Sequence, residues 1–189
     1  KPLCGQPLLA WTIAAARNSR LDRVVVSTDD REIARVAREN GAETPFLRPA
    51  ELAKDDTPHL DVVLHTVRWL AEQEAYEPEY VMLLQPTSPL RDAADIDAAL
   101  DLAVQSDAGC VVSVSRTHHH PLLMTRIDEN GRLTSFIPGA PAPGTGAVRR
   151  QKLAEAYFIN GAIYLCLRQL LLSTGQLIGE PPIPLIMPS

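Results

Sequence analysis

An α/β fold with a mostly parallel sheet is the architecture this sequence predicts, on three observations. Helical patterns and short apolar runs alternate through residues 7–115 in the order helix, strand, helix, strand, helix, strand, helix, strand. That alternation implies right-handed βαβ units. The run Tyr80-Val81-Met82-Leu83-Leu84 is five consecutive apolar or aromatic residues, which suits a central strand buried on both faces beneath helices. After Arg116 the helical period fades and short strands gather around turn residues, so a different, β-rich structure is expected there.

The elements follow in order. Gly5 and Pro7 mark a turn into a first helix, with Pro7 near its start and Leu9, Ile13 and Ala16 at helical spacing. Arg23-Val24-Val25-Val26-Ser27 reads as a β-branched strand, and Thr28, Asp29 and Asp30 as turn and cap material. Asp29 and Asp30 could be metal ligands, but a cap plus an acid favoured by the helix dipole explains them better. Ile33, Val36 and Ala37 form the next stripe, ended by Asn40-Gly41. Residues 43–47 read as a short strand, and residues 59–74 as a helix carrying Leu60, Val63, Leu64, Val67 and Leu70 on one side. A helix from about Asp92 to Gln105 turns Ile96, Leu100 and Val104 inward, and Gly109-Cys110-Val111-Val112-Ser113-Val114-Ser115 is a further strand. Strands near 123–127 and 133–137 flank Asn130-Gly131, a strong hairpin signal. Residues 168–174 read as a short helix closed by Gly175, and Leu185-Ile186-Met187 as a last strand.

Composition narrows the function classes. A chain of 189 residues with 46% hydrophobic and 22% charged residues supports one ordinary domain with a substantial core. Its formal net charge of -5 argues against a nucleic-acid partner, which needs a basic face to neutralise phosphates. No apolar run approaches the roughly 20 residues that span a bilayer, and no signal-peptide pattern is visible, so no membrane partner is expected. Cys4, Cys110 and Cys166 show no metal spacing and cannot all pair, and the latter two lie in apolar runs. A reducing, cytoplasmic setting is the expectation.

Three stretches carry candidate chemistry. In Gln85-Pro86-Thr87-Ser88-Pro89-Leu90-Arg91 an apolar strand stops at a stiff polar turn. Gln85, Thr87, Ser88 and Arg91 then stand at the carboxyl end of a strand, where ligands bind in open α/β sheets. A plain connection with Thr87, Ser88 or Asp92 as N-cap accounts for the same residues. Arg149-Arg150-Gln151-Lys152 places three cations within four residues of an acidic chain with only three lysines. Either the stretch is a solvated loop, or its arginines hold an anionic substrate through paired hydrogen bonds. In Asn160-Gly161-Ala162-Ile163-Tyr164, Asn160 can both donate and accept hydrogen bonds, and Gly161 permits close backbone approach. His118, His119 and His120 alternate faces on an extended segment and do not converge readily on one ion. His65 receives no role.

LLQPTSPLR resembles the central motif of the sugar-acid cytidylyltransferases, specifically the CMP-sialic acid synthetases (N-acylneuraminate cytidylyltransferases). LCGQPLLAWTI, VVVSTDD, FLRPAELA, RRQ and NGAIY are similar to segments of the same family. The resemblance covers nearly all of the chain and is weakest at residues 138–148 and 170–184. It implies a Rossmann-like, three-layer nucleotidyltransferase fold over residues 1–189, with residues 116–158 a projecting β segment for dimerisation and substrate binding. It implies CTP and a nonulosonic acid as substrates, Mg²⁺ as cofactor and a homodimer. Residue by residue, it implies nucleotide contacts at Arg48, Gln85 and Ser88, and sugar-acid contacts at Gln85, Arg149, Arg150, Asn160 and Gly161. Arg150 is the catalytic candidate, with Arg149 as fallback. From the residues alone, Arg48 reads as a loop arginine paired with Asp55 or Asp56.

The chain departs from the family at several points. Pro58, His59 and Phe158 replace residues that are often hydroxyl-bearing or, at Phe158, arginine. The family's nucleotide loop corresponds to residues before Lys1 and its Asp-x-Asp magnesium segment to residues after Ser189. The expectation is that both lie outside this sequence, and the metal ligands are unknown. An intact mass matching 189 residues overturns that expectation. The competing readings are a CMP-KDO synthetase, a catalytically inactive nucleotide- or sugar-binding module, and a glycosyltransferase-like domain of similar topology.

Overall fold

The structure, a computed structural model, describes residues 2–141, 152–179 and 181–188. Their backbone falls into two compact units, Lys1–Ser113 with Gly161–Leu185, and Val114–Asn160 with Ile186–Ser189. Among the described residues no helix is long and apolar enough to cross a membrane.

The first unit opens with a miniature hairpin, β1 (Pro2–Leu3) against β2 (Gln6–Pro7). Cys4 and Gly5 both have positive φ, 49° and 81°, as the primed turn of a two-residue hairpin requires. Helix α1 (Leu8–Arg17) follows, with Pro7 as its N-cap residue, and Trp11 Nε1 donates to the Leu3 carbonyl at 3.1 Å. Ile13 and Ala16 are fully buried, as their spacing predicts. The β-branched run at 24–26 pairs in parallel with the segment at 42–44 through a single bridge, Val25 to Glu43. Val26 N donates to Glu43 O and Glu43 N to Val24 O, both at 2.8 Å. The strand expected over residues 43–47 is confined to that bridge.

Helix α2 (Arg31–Glu39) is capped by Asp30, whose carboxylate accepts from the backbone N–H of Glu32 and Ile33. The inward face differs from expectation. Ala34 and Ala37 are buried, while Ile33 is 44% exposed. Ala37 packs with Ile13 and Ala42, and Leu9, Val24 and Val26 pack around them. Alanines let the helix lie close to its neighbours, which the larger Ile33 would prevent. Helix α4 (Ala93–Gln105) repeats the pattern, with Ile96, Ala99 and Ala103 inward and Val104 turned out at 69% exposure.

Helix α3 (His59–Glu74) has the predicted limits and buries Val63, Val67 and Leu70. Val63 and Val67 join a core with Cys110, Cys166 and Leu171, flanked by Leu60, Leu64, Val81 and Leu83. His65 packs edge-on against Phe46, which also touches Trp69. Arg23 fastens the far end of this unit. It binds the carboxylates of Glu43 and Glu74 and stacks over Tyr76. Arg23 holds the Glu43 carboxyl below its ordinary value, chiefly by hydrogen bonding. A depressed carboxyl stabilises the fold above the unfolded-state pKa of about 4.3 and loses that contribution as pH falls through the folded value. The melting temperature is therefore expected to decline as the medium is acidified below that range. Arg23→Ala should make the decline shallower, and an unchanged slope in a melting series would rule the pair out as its source.

The main sheet has four strands in the order β3 (Tyr80–Leu83), β7 (Tyr157–Leu167), β4 (Cys110–Arg116), β8 (Ile183–Met187). β7 runs antiparallel to β3, Tyr80 facing Leu167 and Leu83 facing Tyr164. The expected mostly parallel sheet is therefore mixed. The βαβ alternation ends at residue 115, whereas β7 returns later in the chain and enters between β3 and β4. β3 stands at the edge of this order and its residues are half-buried, so the central, doubly covered position expected for it is not found. β4, by contrast, is buried from Cys110 through Ser115.

Helix α5 (Arg168–Thr174) ends at Gly175 in the left-handed region, as predicted. All three cysteines are free thiols. Cys4 is exposed, whereas Cys110 and Cys166 are buried with their sulfurs 3.1 Å apart. Burial, reinforced by the Cys110 contact, pushes the Cys166 thiol up to about 12.

The second unit contains the hairpin of β5 (Thr125–Ile127) and β6 (Leu133–Ser135), with Arg126 opposite Thr134. The Asp128 carboxylate accepts from the N–H of Asn130 and Arg132 at 2.9 and 2.8 Å, and Gly131 takes φ +74°. His120 Nδ1 accepts from Leu122 N–H, a local cap. Ile127, Leu133, Phe136, Phe158 and Ile159 are each at least half exposed.

Candidate functional site

The turn after β3 is built from its own backbone. Ser88 N donates to Gln85 O at 3.2 Å and Arg91 N to Ser88 O at 3.4 Å, coiling the chain before helix α4. Asp92 is the N-cap of α4, in a reciprocal capping box with Asp95. Thr87 and Ser88 are thus not used as that cap. Gln85 and Ser88 sit half-buried in the turn.

Gln85 and Gly161, 76 positions apart in sequence (161 − 85), meet in space. A Cβ added to Gly161 would lie 3.1 Å from Gln85 Oε1 and 4.0 Å from the Tyr164 hydroxyl. Gly161 also has φ +78°, a conformation that costs other residues about 1–2 kcal/mol. The backbone conformation therefore favours glycine, and a side chain there would also push the neighbouring amide aside. Replacing Gln85 by alanine is expected to leave the melting temperature within about 2 °C, since a half-buried amide contributes little to folding. A large loss of melting temperature would instead make Gln85 a structural residue.

Beneath this pair lies Arg91, which the sequence reading placed in the turn but gave no role. It is 3% exposed. Its Nη1 donates to Ala162 O at 2.6 Å and Gln85 O at 3.3 Å, and its Nη2 to Thr12 Oγ1 at 3.0 Å. Nε is buried without a hydrogen-bond partner. Burial lowers its pKa to about 10, and the charge of Asp95 only partly opposes this. It still carries its charge at neutral pH. The signal available in the sequence was an arginine directly after a proline-stiffened turn, with its charge destined for a buried position.

Arg48 occupies a separate part of the same unit. Its Nη2 donates to Ser27 O at 2.8 Å and its Nη1 to Leu52 O at 3.3 Å. Its N–H donates to Thr28 O. Among the described residues it forms no ion pair with Asp55 or Asp56, so the plain reading of a loop arginine held by those acids is replaced by one held by carbonyls. Arg48 Nε and Ser27 Oγ are buried without partners. In the second unit, Asn160 Nδ2 donates to Ser115 Oγ at 2.9 Å, and Ser115 Oγ donates to Pro188 O. Arg149 and Arg150 lie outside the described residues. Among the described residues no group of three or more His, Cys, Asp or Glu could hold a metal ion.

A strand-end glutamine, an arginine beneath it and the sequence of the whole turn can be compared with known proteins. The sequence pattern of a family described as cytidylyltransferase matches residues 1–127. The chain belongs to the cytidylyltransferase family. It is 32% identical over 188 residues to CMP-N,N'-diacetyllegionaminic acid synthase of Legionella pneumophila, covering 99% of this chain and 78% of that protein. It is also 32% identical over 187 residues to N-acylneuraminate cytidylyltransferase of Escherichia coli O18:K1:H7, with 98% of this chain covered. There the chain spans only 42% of the relative's length. Pseudaminic acid cytidylyltransferase of Campylobacter jejuni is 29% identical over 161 residues, or 85% of this chain and 67% of that one. Among solved structures, CMP:2-keto-3-deoxy-manno-octonic acid synthetase complexed with CTP has a similar fold. The TM-score is 0.68 at 14% identity, over 100% of this cytidylyltransferase-family chain and 82% of that one.

Proposed function

We propose that this protein couples CTP to a nonulosonic acid of the sialic type, releasing pyrophosphate and forming the CMP-sugar. What supports this reading is the meeting of Gln85 with Gly161. Two segments far apart in sequence converge at the carboxyl end of a strand, where this fold class binds ligands. The sequence relatives above are named for N-acylneuraminate, N,N'-diacetyllegionaminic acid and pseudaminic acid, which favours that class of acid over KDO. The likeness to the KDO enzyme is one of fold.

In the proposed reaction the anomeric hydroxyl attacks the α-phosphorus of CTP. A bond forms from the anomeric oxygen to the α-phosphorus, the bond from that phosphorus to the α–β bridging oxygen breaks, pyrophosphate leaves, and the hydroxyl's proton passes to solvent. Such transfers depend on in-line positioning and on neutralising phosphate charge. Arg48 is assigned to the nucleotide, with Gln85 and Ser88 at the junction of nucleotide and sugar. Asn160 and Gly161 are assigned to the sugar. Arg150, or Arg149 in its place, is assigned to the carboxylate or the leaving phosphates. Mg²⁺ belongs to the same proposal and would neutralise phosphate charge, but the described residues do not by themselves supply a cluster for it.

A homodimer is proposed through the second unit, whose exposed Ile127, Leu133, Phe136, Phe158 and Ile159 are the kind of apolar surface that a partner covers. The proposed location is the cytoplasm, where CTP is available. Pyrophosphate release by the full chain with CTP and Mg²⁺ tests the function, with N-acetylneuraminate, legionaminate, pseudaminate, KDO or no sugar. Release with a nonulosonate supports it, release with KDO alone replaces it with the KDO reading, and no release with any acid favours a binding module.

A further inference from the structure

We propose that Arg91 is a positioning residue for the proposed cytidylyl transfer and acts through Gln85. The inference rests on the functional reading above, in which Gln85 touches substrate. One guanidinium ties together three segments distant in sequence: helix α1 at Thr12, the turn after β3 at Gln85, and strand β7 at Ala162. The same nitrogen, Nη1, serves both Gln85 O and Ala162 O. It therefore sets the separation between the residue that carries the amide and the residue next to Gly161, against which that amide lies. Proline rings at positions 86 and 89 stiffen the turn but cannot donate hydrogen bonds to fasten it. Backbone bonds from Ser88 and Arg91 close the turn on itself, and the Arg91 side chain fastens that turn to β7 and α1.

Economy of folding does not explain this arginine. Among the described residues no carboxylate pairs with it, and Nε has no partner. Burying an unpaired charge costs several kcal/mol, and an apolar side chain of similar volume is often the more stable choice. Lysine would keep the charge but not the planar fork, which reaches separate acceptors at fixed angles. The arrangement retains what a stable core would discard, and what it secures is the place of Gln85.

A double-mutant cycle on kcat/KM tests the proposal, using the full chain with Arg91→Lys, Gln85→Ala and the pair. Thr12→Val serves as a milder variant that removes one acceptor if Arg91→Lys fails to fold. Hydrogen exchange of the peptide covering residues 84–92 is followed alongside. The expected result is a loss of at least tenfold from Arg91→Lys in the parent and less than threefold when Gln85 is already alanine, with faster exchange in that peptide. Thr12→Val should show the same coupling at smaller size. Losses that multiply independently would overturn the positioning role and leave Arg91 a structural residue, as would unchanged exchange. If the parent makes no pyrophosphate with any acid, the functional reading fails. Exchange then decides whether Arg91 fastens the turn: faster exchange upholds the clamp, and unchanged exchange overturns it.

Discussion

Replacing Gly161 by alanine is expected to lower kcat/KM about tenfold while costing the fold only about 1–2 kcal/mol. The two effects separate because they have different origins. The stability cost comes from placing a side chain at φ +78°. The catalytic cost comes from the new methyl, 3.1 Å from Gln85 Oε1. That oxygen is the far end of a flexible side chain, so the protein relieves the contact cheaply by turning the amide away. Relief that is cheap for the fold still shifts the amide by a few tenths of an ångström, and rate falls steeply when a positioning group leaves its place. Kinetics and thermal melting of the variant, each compared with Gln85→Ala, would check this. Activity falling no further than stability explains would sink it, as would a loss in Gly161→Ala unrelated to that in Gln85→Ala.

Arg150→Ala carries the other large expectation. It should reduce kcat/KM for the sugar acid about ten- to a hundredfold and change the KM for CTP by less than about threefold. Hydrogen bonds to charged groups contribute about 1.5–3 kcal/mol each, and the paired bonds of a guanidinium to a carboxylate are lost together. Arg149→Ala should have a smaller effect. Initial rates at varied acid and fixed CTP, and the reverse, separate the cases. Equal loss for both substrates would move Arg150 from the carboxylate to the phosphates, and a larger loss in Arg149→Ala would exchange their roles.

Much of the chain's local structure was legible because its signals are local. The limits of α3, the Asp30 cap, the Asn130-Gly131 hairpin and the Gly175 stop each depend on a few neighbouring residues, and all were found. Ile33 and Val104 were misplaced because size and hydrophobicity were taken to mark the inward face. In α2 alanines alone face fully inward, and in α4 Ala99 and Ala103 do so beside Ile96. The place of β7 between β3 and β4 was not legible. Alternation describes consecutive elements and is silent about a strand that returns after a long excursion. Within the candidate site, Gln85 and Gly161 were both picked out in the sequence, yet their adjacency was not, and Arg91 was placed at the strand end with Gln85 and Ser88 without its burial being foreseen. A buried charge is recognised by what surrounds it, and its three acceptors come from positions 12, 85 and 162.

The distribution of the three thiols has a practical consequence for spectroscopy. Cys4 is exposed at the tip of the opening hairpin, whereas Cys110 and Cys166 are shielded and Cys166 resists forming the thiolate. Of these three thiols, a maleimide dye offered to the folded chain thus reaches Cys4 first. Trp11 is hydrogen-bonded to Leu3 in the same hairpin, so an intrinsic donor already stands beside that thiol. Energy transfer from the indole to the dye then reports on the hairpin of β1 and β2 itself, with Trp69 as a second, background donor.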